Sequence, residues 1–287
     1  MITKLNENLS SITSIGVGGK CKAILFPENE EEFINLLKDF NGKEKYKIVG
    51  NGTNLLFSDN FHDYYVICTK KIKKKMSKRK NCVTFSSSTT LFDAYQFCLK
   101  NHLSGFEKLA TIPGNIGGSL ASGASCFKKS IYDDLEKIQV FYDDKIFWID
   151  KNKMDYGYHF SSFLKNDLSK PFVILNAKFC LKEENPCKIQ NEYLSCSIKR
   201  KTNQPIGRSF GCVFKNQNNQ STGMLVENCG LKGIKKRDAI ISEKHGNFII
   251  NSNHANFEDI KYLIDLIETT IKEKYDILLE KDVEIVE

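Results

Sequence analysis

Apolar positions recur at helical spacing in two long stretches of this 287-residue chain. Over Glu30–Phe40, the side chains Phe33, Leu36, Leu37 and Phe40 share one face behind Asn29, which predicts an amphipathic helix with an asparagine cap. Over Phe257–Tyr275, Ile260, Leu263, Ile264, Ile267 and Ile271 do the same behind Asn256. A third helix is expected over residues 90–100, stopping near Asn101. Elsewhere the apolar residues come in short runs bounded by turn formers. Residues 23–26, Tyr46–Val49, 66–68, 83–85 and 172–181 read as strands, and 138–141 with 146–149 as a hairpin about Tyr142-Asp143-Asp144-Lys145. Strands and helices mix without a regular βαβ alternation, which is an α+β pattern, and no internal repeat is visible. Glu183-Glu184-Asn185-Pro186 is a polar break, so two domains are expected, at 1–182 and 188–287.

Composition narrows the class. Hydrophobic residues make up 41% and charged residues 27%, ordinary for a soluble globular protein. No apolar run approaches the roughly 18 residues of a membrane helix, and the first residues form no secretory apolar core. The net charge of +7 is local: residues 70–80 carry eight positive and no negative charges, and the remainder is nearly neutral. A nucleic-acid reading would rest on that run alone, without aromatic platforms, so it is taken as a solvated loop or hairpin tip. Ten cysteines show neither a C-x-x-C pair nor regular spacing, which argues against a metal site and for reduced thiols packed as small core residues.

Three segments carry candidate chemistry. Val49-Gly50-Asn51-Gly52-Thr53-Asn54-Leu55-Leu56 follows a strand directly. Its glycines allow close approach to backbone amides, which suits a pyrophosphate, although the pattern is not G-x-G-x-x-G. Residues 105–119 hold four glycines and Pro113 among Phe106, Leu109, Ile112 and Ile116. An ordinary strand or helix is not expected there, and backbone packed against a flat cofactor is. The third is Asn203-Gln204-Pro205-Ile206-Gly207-Arg208-Ser209-Phe210-Gly211-Cys212-Val213-Phe214-Lys215-Asn216, which can present a thiol proton donor and anion-binding groups to a small substrate.

Taken together, these segments resemble the UDP-N-acetylenolpyruvoylglucosamine reductase (UDP-N-acetylmuramate dehydrogenase) family, from about Thr13 to Val283, in its shorter class. The resemblance implies a two-lobed FAD-binding domain of the vanillyl-alcohol-oxidase (PCMH) type, with lobes near 1–75 and 76–182, and a smaller α+β substrate domain. It implies that FAD is held by Gly50, Asn51, Gly52, Thr53, Asn54, Leu55, Pro113, Gly114, Gly117 and Gly118. It implies NADPH as hydride donor and a UDP-sugar as substrate, with Gln204, Arg208, Lys215 and Asn216 on the substrate side. A cytoplasmic monomer is expected.

The departures from the family pattern are specific. The family's Met-Asn-Ala-Gly-Ala-Tyr-Gly is here Ser122-Gly123-Ala124-Ser125-Cys126-Phe127-Lys128, which predicts altered backbone geometry. Tyr-Arg-x-Ser reads Tyr158-His159-Phe160-Ser161, so an always-charged fork is replaced by an imidazole. Gly-Ser-Val-Phe-Lys-Asn reads Gly211-Cys212-Val213-Phe214-Lys215-Asn216, where a thiol, more acidic than a hydroxyl, stands as the proton donor. Leu-Glu-x-Glu-Val reads Leu279-Glu280-Lys281-Asp282-Val283, which aligns Asp282 with the catalytic glutamate and leaves Glu280 as its alternative. Residues 243–251, Glu-Lys-His-Gly-Asn-Phe-Ile-Ile-Asn, are close to the family's Lys-His-Ala-Asn-Phe-Ile-Asn. Three changed catalytic positions leave two alternatives open: an FAD-binding homologue without this activity, or an oxidoreductase of the same flavin fold with another substrate.

Overall fold

The computed structural model describes the whole chain except residues 163–167, 169–171, 218 and 219. Its residues divide into two compact units. The first comprises Met1–Leu5, Lys22–Asn51 and Asp63–Arg200; the second comprises Asn6–Cys21, Gly52–His62 and Lys201–Glu287.

In the first unit, Ile2–Leu5, Cys21–Phe26, His62–Cys68 and Tyr46–Val49 lie side by side in that order in a four-stranded sheet. Helix α1, Glu30–Phe40, spans the predicted residues and is capped by the Asn29 side chain, which accepts from the Glu32 amide. Its Phe33, Leu36 and Leu37 pack with Ala23, Leu25, Tyr46 and Ile67. A second sheet, antiparallel throughout, has the order Lys145–Asp150, Leu135–Tyr142, Val173–Cys180, Cys82–Ser86 and Met76–Arg79. Helix α2, Leu91–Lys100, belongs to the core on this sheet, where Phe85, Phe106 and Phe179 meet edge to face or tilted.

Several expectations change here. Residues 105–119 are not wholly irregular: helix α3, Ile116–Ser122, begins inside them, because Asn115 accepts a hydrogen bond from the Gly118 amide and caps it. The break near Pro186 opens helix α4, Pro186–Asn203, where a proline at the first position loses no hydrogen bond. All but its last turn lies in the first unit, and residues 6–21 and 52–62 join the second, so the compact units differ from 1–182 and 188–287. The basic run ends, in keeping with the hairpin reading, in the exposed edge strand Met76–Arg79 and its turn into Cys82–Ser86, and is preceded by lysines in ion pairs, Lys74 with Asp93 and Lys75 with Glu30. Cys82 and Cys180, expected as thiols, are joined in a disulfide.

The second unit is built on helix α6, Phe257–Tyr275, again over the predicted residues and closed at its start by a capping box between Asn256 and Asp259. Ile260, Leu263, Ile264, Ile267 and Ile271 form its core with Ile15, Val17, Leu56 and Val283. A three-stranded sheet, Lys235–Lys236, Ala239–Ile241 and Ile249–Asn251, packs beside α6, as does helix α5, Thr222–Asn228. Leu55–Phe57 pairs in parallel with Glu284–Val286.

Candidate active site

In the first unit the two glycine-rich loops interlock. The Asn51 side chain donates to the Pro113 carbonyl (3.2 Å). A Cβ on Gly50 would stand 2.6 Å from Oδ1 of Asn115, and one on Gly117 would stand 2.8 Å from the Ser87 side chain. Asn115, 2% exposed, also donates to Thr69 Oγ1 (3.4 Å). Glycine is therefore required here first by protein-against-protein packing, not only by close approach of a ligand. Ser86, Ser87, Ser88 and Thr89 lie buried beside this junction, where the Ser86 hydroxyl is hydrogen-bonded to those of Ser88 and Thr89 and the Ser87 carbonyl accepts from the Gly117 amide. The sequence reading passed over them, although a run of five hydroxyl residues after a strand was the available signal.

The far end of the same assembly reaches His159. Gly123 ends α3 in the left-handed region (φ +66°), and a Cβ there would meet the Phe160 amide nitrogen at 2.6 Å. His159 is the turn residue between the short strands Tyr156–Gly157 and Phe160–Ser161, at φ +49°, with its ring edge-on to Tyr158 at 4.3 Å. Phe127 and Lys128 adopt φ +48° and +60°. Lys128 thus takes a left-handed conformation at a position where the family pattern has glycine, at a cost of about 1 kcal/mol.

In the second unit, the strand carrying Cys212 is held between two others. Cys212 bridges Phe248, and Phe214 bridges Lys281. The Val213 amide donates to the Asn247 carbonyl (3.0 Å), while the Val213 carbonyl accepts from the amides of Asp282 (2.9 Å) and Val283 (3.3 Å). The Asn247 side chain clasps Phe214 from both sides, accepting from its amide (3.0 Å) and donating to its carbonyl (2.7 Å). Lys215 pairs with Glu280 through its amide (2.8 Å) and its ammonium (2.5 Å). The structure thereby places Lys215 against Glu280, and Asp282 against Val213, the residue after the half-buried Cys212, which itself bridges Phe248. This clasp by Asn247 was not anticipated from the sequence; its place in the 243–251 motif was the signal.

Other expected residues are committed to structure. Asn54 donates from its side chain to the Asp282 carbonyl (2.8 Å) and accepts from the Glu284 amide at its own carbonyl (3.1 Å). Gly52 sits at φ +61°, where a Cβ would fall 2.1 Å from the Ile12 carbonyl oxygen, and Thr53 and Leu55 continue from it into the strand beside Glu284–Val286. Asn216 accepts from the Thr222 amide at the start of α5 (3.2 Å). Gly114 faces Ser119, and Gly118 donates to Asn115. Arg208 pairs with Asn251 instead of Phe248 and gives its guanidinium to the Asn253 carbonyl (3.2 Å), so it is set apart from Cys212 along the strand. Gln204 follows the end of α4.

The glycine-lined junction of short polar side chains and the mixed order of helices and strands are those of an α+β flavoprotein. Residues 21–145 match the FAD binding domain family, and residues 201–286 match the C-terminal domain of UDP-N-acetylenolpyruvoylglucosamine reductase. The chain belongs to the UDP-N-acetylenolpyruvoylglucosamine reductase family. Curated members include the reductase of Fusobacterium nucleatum, 32% identical over 98% of this chain and 98% of its own. That of Pelagibacter ubique is 36% identical over 94% and 89%. The crystal structure of UDP-N-acetylenolpyruvylglucosamine reductase from Thermus caldophilus is 28% identical, covers 100% of this chain and 98% of its own, and gives a TM-score of 0.82.

Proposed function

We infer that this protein is an FAD-dependent oxidoreductase that uses NADPH to reduce UDP-N-acetylglucosamine enolpyruvate to UDP-N-acetylmuramate, a step of peptidoglycan precursor synthesis. The observation that supports this best is the segment that runs on from Cys212, whose Val213 and Lys215 are tied to Asp282 and Glu280. The interlocked loops suit FAD: Gly50, Gly114, Gly117 and Gly118 let the main chain beside Asn51 and Pro113 pack tightly against Asn115, Ser119 and Ser87, and Asn51 with Ser87–Thr89 supplies uncharged hydrogen-bonding groups. Gly52, Thr53, Asn54 and Leu55 continue that loop.

Held by these loops, FAD would supply the hydride chemistry between NADPH and the enolpyruvyl double bond. The chain's own residues then deal with charge and proton. Hydride at the terminal carbon leaves negative charge on the neighbouring carbon, delocalised into the carboxylate. A proton must arrive there, and cationic or protonated groups must face the carboxylate. Cys212 is assigned as the donor, breaking its S–H bond to form the new C–H bond. Lys215, held by Glu280, and Asn216 serve the UDP-sugar. Asp282 and His159 are assigned to the carboxylate side. Arg208 and Gln204 are assigned to the outer part of the nucleotide.

Among the described residues no helix is long and apolar enough to cross a membrane. We read the chain as a monomer acting in the cytoplasm on a small molecule, with the paired lysines of residues 70–80 as surface and not as a nucleic-acid face. NADPH consumption with and without the enolpyruvyl nucleotide tests the function. Consumption that does not depend on the nucleotide would overturn it, and so would a colourless protein that FAD cannot reconstitute.

A further inference from the structure

On the five-stranded sheet of the first unit, two cysteines and a carboxylate that the proposed reaction does not use converge. Cys180 and Cys82 are direct partners on neighbouring antiparallel strands, with Cα atoms 4.2 Å apart. Such narrow pairs bring side chains close. Glu136 comes from the next strand, at a β-bulge: Leu135 pairs with Phe179 and Lys137 with Lys178, leaving Glu136 as the extra residue. Leu135 and Ile138 both keep to the core. Glu136 instead lies with Oε2 2.8 Å from Cys180 Sγ and 3.9 Å from Cys82 Sγ. Bulges commonly re-aim a side chain in this way. The Asn81 side-chain oxygen lies 3.9 Å from Cys82 Sγ. The three ligating atoms lie within 4.8 Å of one another, and all three residues are half-exposed.

We propose that, when the Cys82–Cys180 disulfide is reduced, these two thiolates and Glu136 bind a thiophilic divalent cation of the zinc class. Zinc takes thiolate sulfur at about 2.3 Å and carboxylate oxygen at about 2.0–2.2 Å in a tetrahedron, which spaces its ligand atoms about 3.3–3.8 Å apart. The sheet register holds the two cysteines within that reach in either redox state. The fourth position falls to the Asn81 oxygen or to solvent. Reduction proceeds by thiol–disulfide exchange with a small dithiol. Its thiolate attacks one Sγ, the other cysteine leaves as thiolate, and the reductant's second sulfur closes its own disulfide to release the first. The protein gains two electrons and two protons. Metal binding then forms two S–metal bonds and returns the two thiol protons to solvent. Lys178, 2.9 Å from Glu136, competes for the carboxylate, and Lys137 lies 3.9 Å from it. The disulfide form is the metal-free state, and the site does not depend on the reductase reading.

The test uses the full chain, reduced with dithiothreitol, freed of reductant without air, and titrated with Co²⁺ as spectroscopic probe and with Zn²⁺ against a chromophoric chelator. One equivalent per chain should bind with an intense sulfur-to-cobalt charge-transfer band. Cys82→Ser and Cys180→Ser should each abolish the band, Glu136→Gln should weaken binding roughly tenfold or more, and Lys178→Ala should tighten it. The oxidised protein should give no band. If a serine variant fails to fold, Glu136→Gln decides, since it keeps both thiols. Unchanged affinity in Glu136→Gln, a band that survives in both serine variants, or a pair that the dithiol cannot reduce in the folded protein would each overturn the proposal.

Discussion

Gly50→Ala is the sharpest test of the interlocked loops. The new methyl would stand 2.6 Å from Oδ1 and 2.8 Å from Nδ2 of Asn115, closer than any real contact allows. Asn115 is buried, so its side chain must leave its place, and with it goes the cap of α3. Loss of such a cap, which leaves the Gly118 amide without its acceptor, costs about 1–2 kcal/mol. That much order is removed from the segment assigned to FAD, so FAD affinity should fall about five- to thirtyfold. The assay is fluorescence titration of the flavin-free protein with FAD, run on Gly50→Ala, Asn115→Ala and the double variant. Asn115→Ala alone should lose a similar amount. Because the alanine at 115 removes the atoms that clash, the double variant should match Asn115→Ala to within about 0.5 kcal/mol. Additive losses would show that Gly50 acts through something other than Asn115, and the packing argument would fail.

Cys212→Ala should lower turnover about 10²–10⁴-fold while NADPH still reduces the flavin, whereas Cys212→Ser should lose less; equal turnover in all three proteins would remove the thiol from the reaction. Asn247→Ala strips both hydrogen bonds from the buried Phe214 main chain, so it should destabilise the fold by roughly 2–5 kcal/mol in urea unfolding. Ile264→Ala, in the core of α6, should cost about 2–5 kcal/mol by the same measurement. Burial pushes the His245 imidazole below its ordinary value. The unfolded chain therefore takes up this proton first as pH falls. Stability from the neutral ring is complete above about pH 6.5 and declines below it toward the folded-state value. Unfolding at about pH 7.5 and about pH 5.5 should show a smaller loss in His245→Gln than in the parent protein.

The parts of the fold that could be read from sequence are those with strong local periodicity. Helices α1 and α6 keep the bounds their apolar faces and asparagine caps imply, because burial and capping there agree. Helix α3 was hidden because Gly117 and Gly118 are poor helix formers, and the reason for Gly117 lies thirty residues away at Ser87. Ile15 and Val17 belong to the core of α6, a pairing across most of the chain that no local pattern announces. The Cys82–Cys180 bond likewise depends on strand register and not on spacing. For the site, the motif at 211–216 marked the strand, but the clasp of Asn247 on Phe214 became visible only through the hydrogen bonds.

The central claim is that reducing equivalents pass from NADPH through bound FAD to an enolpyruvyl nucleotide. It is tested most directly without oxygen: bleach the holoprotein with one equivalent of NADPH, then add UDP-N-acetylglucosamine enolpyruvate. Return of the yellow flavin spectrum, with one UDP-N-acetylmuramate formed per flavin, is the predicted result. A flavin that stays bleached until air is admitted would contradict the account.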